Sequence, residues 1–196
     1  MTGHYFAYGV YYDLVADKKE KKKIAQVVKT ITDHIIENNF HLTDVDGVPT
    51  TWANWEPDLL NNDDRWFYER GTNSLEILSF LKTTYHVTGD EKYNEVFDML
   101  IKKHHYAMNC MQYKCEDGHV AHIDDQLDFT NIYPLIVYTD NNAHKEIFKM
   151  GLTHHWEYER TERSPFFNIV YGALTDNSCD IENAAKSLSE MNLDLG

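Results

Sequence analysis

The chain has 196 residues, 32 acidic against 18 Lys plus Arg, and a formal net charge of −14. That balance leaves no broad basic face, which excludes a nucleic-acid binder, and a mean hydropathy of −0.56 without an 18-residue apolar run excludes a membrane span. With 42% hydrophobic residues, 13 Tyr, 9 Phe and 4 Trp, disorder is excluded, and one packed domain over residues 1–196 is expected, with amphipathic rings to spare for a core, an interface or a sugar-lined cleft.

In chain order, residues 4–17 carry Phe6, Val10 and Leu14 at i, i+4 and i+8, an amphipathic helix. The charged run Lys18 to Lys23 precedes a second stripe of Ile24, Val27, Val28, Ile31 and Ile35, so it reads as a solvated first turn. Residues 40–56 break the helical pattern. Asp46-Gly47 is a two-residue turn signal before Val48-Pro49-Thr50-Thr51-Trp52, which predicts a small β-hairpin-like excursion, then a short helical turn at 57–62. Asp44-x-Asp46-Gly47 begins as a calcium loop does, but no later acidic residues fall at EF-hand spacing, and turn chemistry accounts for it.

Asn73-Ser74 is a cap for a helix over 74–88, with Leu75, Leu78, Leu81 and Tyr85 on one face. Gly89 suits a left-handed helix end and Asp90 caps the next helix, about 90–108, whose stripe is Tyr93, Val96, Phe97, Leu100 and Ile101. After an irregular segment over 109–123, Asp124-Asp125 opens helix 125–139, with a kink expected at Pro134, and helix 142–160 follows. Ser164-Pro165 starts helix 165–175, and Asp180 caps helix 181–190. The fold class is all-α, with about four helical hairpins and the small excursion near 40–56. First helices open on polar and aromatic residues and second helices on solvated charge, which points to two concentric layers.

Several strings resemble a known bacterial family. They are Gly3-His4-Tyr5-Phe6-Ala7-Tyr8, Ile31-Thr32-Asp33-His34-Ile35-Ile36, Asp44-Val45-Asp46-Gly47-x-Pro49-Thr50, Glu69-Arg70-Gly71-x-Asn73-Ser74-Leu75-Glu76, Tyr85-His86-Val87-Thr88-Gly89-Asp90, Lys103-His104-His105-Tyr106 and His122-x-Asp124-Asp125. The family consists of largely uncharacterised, usually exported proteins similar to six-hairpin glycosidases, the (α/α)6 toroids. The resemblance implies a carbohydrate-associated role but no established reaction. It also implies about twelve helices for a closed ring, so four hairpins read as a partial toroid. The start Met1-Thr2-Gly3-His4-Tyr5 lacks the pattern of a signal peptide, so export is not encoded in this stretch.

In such toroids the cleft lies where the inner helices and their preceding loops converge. The resemblance therefore makes His4, Asp46, Trp52, Trp55, Arg70, Asn73, Asp124 and Asp125 cleft candidates. The first, Trp52, Trp55, Arg70 and Asn73 are the ligand-binding set, because sugars need ring platforms and planar hydrogen-bonding groups. His105 joins them, since histidine titrates near neutrality, and one ring of each pair His104-His105 and His154-His155 is expected to point inward. Glycoside hydrolysis needs two carboxyl groups across the bond. Asp124, Asp125, Asp46 and Glu69 are the candidates, although Asp124 also suits a helix cap. Cys110-x4-Cys115-x3-His119-x2-His122 holds zinc-competent residue types at a non-standard spacing, and no phosphate loop, nucleophile elbow or His-Glu-x-x-His helix occurs, so no cofactor and no metal are expected. Three Cys residues define no disulfide framework.

The expected function is a glycan-binding, non-catalytic module. A glycoside hydrolase and a structural or oligomerising hairpin module are the rivals. The last expects a homo-oligomer, or missing chain, to close the open ends of the ring, with exposed apolar side chains gathered on the first and last helices.

Overall fold

The computed structural model describes residues 1–112 and 122–191. Its helices are α1 (Thr2–Leu14), α2 (Lys18–Glu37), α3 (Pro57–Asn62), α4 (Arg70–Thr88), α5 (Glu91–His104), α6 (Tyr106–Asn109), α7 (His122–Val137), α8 (Asn142–Glu159), α9 (Pro165–Thr175) and α10 (Ile181–Glu190). Among the described residues the only strands are β1 (His41–Thr43) and β2 (Pro49–Asn54), an antiparallel hairpin with an irregular register between His41 and Thr43. The protein is all-α with a small β excursion, as its sequence predicts. No described helix is long and apolar enough to cross a membrane.

The local signals act through identifiable bonds. Asp17 accepts from the backbone N–H groups of Lys19 and Glu20 while Glu20 reaches back to the Asp17 N–H, a capping box that makes the Lys run the exposed start of α2. Ile24, Val28, Thr32 and Ile35 form its buried face, whereas Val27 is exposed. Gly89 ends α4 at φ 68°, where other residues are strained, and the Asp90 carboxylate caps α5. Pro165 occupies the first turn of α9 and Ser164 caps it.

Other signals resolve differently. Helix α4 begins at Arg70, so Asn73 lies inside its first turn and is not the cap. The helix expected over 90–108 is broken at His105, whose φ of 60° starts the separate turn α6. Asp124 likewise sits inside the first turn of α7, which starts at His122. The backbone of Asp180 is left-handed and makes no side-chain cap; its carboxylate takes both Arg160 Nε and Nη2, at 2.5 and 2.9 Å. Of His104 and His105 neither is buried, while His155 is.

Helix α4 is the centre of the molecule. It packs on α1, α2, α5 and α7, and Leu75, Ile77, Leu78, Phe80 and Leu81 are all buried, so no single stripe of the kind read from the sequence describes it. Tyr5 stacks on Phe80 at 4.2 Å and Trp55 meets the same ring edge-on. The first helices follow one another, α1 on α4, α4 on α7 and α7 on α9, and α1 also touches α7 directly. The amphipathic α2, α5 and α10 lie on the outside of these helices. Gly71 admits the chain at Gln112, whose carbonyl oxygen would be only 1.7 Å from a Cβ. Along α1, α7 and α9, Phe6, Tyr133, Val137, Phe166, Ile169 and Val170 line an apolar groove of about 340 Å³.

Candidate functional site

Two separate regions collect the polar and aromatic residues. The first is built by consecutive segments, from β2 to the start of α4. Gly47 takes φ 79° in the hairpin turn, and Asp46 accepts the Val48 N–H at 2.9 Å. Asp46 is thus an exposed turn residue at the hairpin tip, and nothing in this arrangement brings it to another carboxylate. The Asn54 amide donates to the Thr50 and Thr51 carbonyls, and the Asn73 amide donates to those of Trp52 and Asn54. Asn73 therefore fixes the hairpin from below instead of meeting a ligand.

With its backbone held in this way, Trp52 remains 70% exposed. It lines a shallow cavity of about 350 Å³ together with Thr51, Arg65, Trp66 and Glu69. Arg65 and Trp66 come from the single helical turn Asp64–Trp66, and Arg65 is held in a fork by Asp63, Nη2 to Oδ2 at 2.6 Å. The sequence reading passed over both residues. Their signal was a charged and aromatic string, Asp63-Asp64-Arg65-Trp66, in a connection too short to bury it.

Four expected ligand residues lie elsewhere. Trp55 is 1% exposed and donates its indole N–H to Glu76 at 2.9 Å, so it is a core residue and cannot serve as a sugar platform. Arg70 donates Nε to the Leu60 carbonyl at 2.7 Å and Nη2 to that of Asn61, stapling α3 to α4. His105 is exposed at the α5 end, where its left-handed backbone closes the helix. His4 is exposed on α1 beside Tyr8.

The second region is buried where the starts of α1, α4 and α7 meet the end of α8. Asp125, Asp128 and Asn131 repeat every third residue on one face of α7, Thr72 and Glu76 face them from α4, and His155 and Glu159 come from α8. The Glu76 carboxylate accepts from Thr2 Oγ1 at 2.7 Å and from the Trp55 indole. Thr72 donates to Asp128 at 3.2 Å, and His155 Nε2 donates to Asp125 Oδ1 at 2.9 Å. Asp124 and Asp125, in the first turn of α7, sit against its positive helix end.

Burial dominates the electrostatics here. It pushes the Glu76 carboxyl up, although Thr2 and Trp55 pull the other way, and pushes Asp128 well above the ordinary carboxylate range. It raises Glu159 to about 7, helped by the charges of Asp125 and Glu162. The same burial pushes His155 down against the pull of Asp125. Asp124 is half-buried, and its charge raises Glu76 and Asp128 further. Of the predicted carboxylates, the structure thus brings Asp124 and Asp125 together with three that the sequence reading did not select, Glu76, Asp128 and Glu159. It places Glu69 with the tryptophans instead.

Cys110 is a free, buried thiol; Cys115 and His119 of the zinc-competent string lie outside the described residues. No family model, curated protein or solved structure matches this chain.

Proposed function

We propose that the protein is a carbohydrate-associated helical module, of the six-hairpin-glycosidase-like kind, that binds a glycan at the Trp52 cavity without cleaving it. The observation that carries this reading is the 70% exposed Trp52 sharing one cavity with Trp66, Arg65 and Glu69. Exposed indoles offer apolar platforms to a sugar ring, and a guanidinium and a carboxylate offer planar partners to its hydroxyl groups. Hydrolysis requires two carboxyl groups facing across a bond, and the described lining of this cavity includes one, Glu69. The buried carboxylates Asp125, Asp128 and Glu159 belong to α7 and α8 and are not in the described lining of this cavity.

A glycan array combined with a hydrolysis screen tests the reading, followed by titration of the best-bound glycan. Binding without turnover is expected, with Trp52→Ala weakening it about tenfold and Asp124→Asn leaving it unchanged. Turnover that disappears in Asp124→Asn replaces the binding reading with the hydrolase.

A further inference from the structure

We propose that His122, Asp125 and Glu159 form a binding site for a single divalent transition-metal ion of the zinc class. The site joins the first turn of α7 to the last turn of α8, and it does not depend on the glycan reading. One ligand atom from each residue lies within 4.8 Å of the other two. Donors about 2.1 Å from a shared tetrahedral ion stand about 3.4 Å apart. Closing that difference requires only a small side-chain movement, which His122, more than half exposed, can supply.

Proximity of acidic groups is common, and the stronger observation concerns unmet bonding capacity. Asp125 and Glu159 are 5% and 4% exposed, and Asp125 Oδ2 and Glu159 Oε2 are buried with no hydrogen-bond partner. Leaving such oxygens unsatisfied is unfavourable, and more so when they carry charge. The other Asp125 oxygen accepts from His155 Nε2 at 2.9 Å, which aims Oδ2 toward His122 Nδ1, 3.8 Å away. That is the arrangement by which an outer-shell partner orients a metal ligand. The neighbouring charges deepen the need for a cation. Asp125 and Glu162 add negative charge around Glu159, and Glu76, Asp124 and Asp125 add it around Asp128.

The donor set selects the class of ion. Calcium and magnesium prefer oxygen throughout, whereas one imidazole with two carboxylates suits zinc and its transition-metal neighbours. Three protein ligands leave a fourth position on the His122 side, which faces solvent.

The test is calorimetric titration of the chelator-treated, full-length chain with zinc chloride alone, accompanied by thermal melts. One zinc ion per chain is expected, with a Kd of about 10 μM or tighter. His122→Ala and Glu159→Gln should each weaken it at least tenfold and abolish the zinc-dependent rise in Tm. His122 is exposed enough for its variant to fold, and Glu159→Gln keeps the side-chain shape while removing a buried charge. No binding at 100 μM zinc, roughly ten times that Kd, overturns the proposal. So does wild-type affinity in either variant, which would place the zinc on surface histidines, or calcium bound as tightly as zinc.

Discussion

The tryptophan cavity and the acidic cluster differ in how they are assembled. The cavity draws on residues 51–69, adjacent in the chain and open to solvent, and Arg65, one of its polar groups, is already bound to Asp63. The cluster draws Glu76, Asp125, Asp128, His155 and Glu159 from three helices and buries them with several oxygens unpartnered. A locally built surface site can be altered without disturbing the fold. A cluster built from distant helices belongs to the core, and changing it changes stability first.

The sharpest way to break that contrast is at Gly71, which lies between the two regions. Adding one methyl group there forces α4 off the carbonyl of Gln112. Gly71→Ala should therefore cost about 3 kcal/mol, as overpacking against rigid backbone does, and urea denaturation measures it. A loss below about 0.5 kcal/mol would mean that residues 109–112 are not held against α4. The second-largest effect belongs to Glu76. Glu76→Ala removes the acceptor of both Thr2 and the buried Trp55 indole, and should cost about 2 kcal/mol. Glu76→Gln keeps one acceptor oxygen and the side-chain volume and should cost less than half as much; equal losses would show that both carboxylate oxygens are needed there and that volume is not what matters.

The same contrast explains what was legible in the sequence. The caps Asp90 and Ser164, Gly89, Pro165 and the Asp46-Gly47 turn act within a few residues of their own position, and the elements they mark formed as read, whereas Asn73 and Asp180 do not cap the helices they were read to start. Trp52 was legible for the same reason: an aromatic beside a hairpin turn has little chain nearby to cover it. Trp55, three residues further on, looks identical in the sequence, and only packing against Phe80 of α4 decides that it is buried. Glu76 and Glu159 carried no local signal, because each lies in an ordinary helical run and becomes unusual only when α1, α7 or α8 arrives. His155 was half legible; the pair with His154 said that one ring turns inward, and Asp125 determines what it meets.

His155 also supplies a pH test of the cluster's burial. Its folded pKa lies below the ordinary value of 6.5, burial being the cause, so the unfolded chain takes up the proton first on acidification. Its contribution to stability is complete above about pH 6.5 and drains as pH falls below that, by up to about 1 kcal/mol per unit. Glu76, Asp128 and Glu159 are shifted upward and act in the opposite sense, binding protons more readily when folded. The His155 share is isolated by comparing wild type with His155→Gln by chemical denaturation from pH 7.5 to 5. The wild-type advantage should shrink as pH falls. A constant difference would mean that His155 gains its proton in the folded protein as easily as in the unfolded chain.

The smallest expected effect on stability is the most informative about the cavity. Trp52 is the largest side chain in β2, yet its exposed indole adds little to the core that α4 organises. Its backbone position is fixed independently by the Asn73 amide at the Trp52 carbonyl, and that bond survives truncation of the side chain. Trp52→Ala should therefore leave the denaturation midpoint within the change expected of about 0.5 kcal/mol, while it removes the broadest apolar platform in the cavity. Asn73→Ala reverses the pattern: it leaves the lining residues intact but frees the hairpin, so stability falls by about 1 kcal/mol and any ligand affinity falls with it. If Trp52→Ala instead destabilises the fold as much as Asn73→Ala does, the indole is a structural cover, and the distinction between a surface site and a core cluster collapses at its most exposed residue.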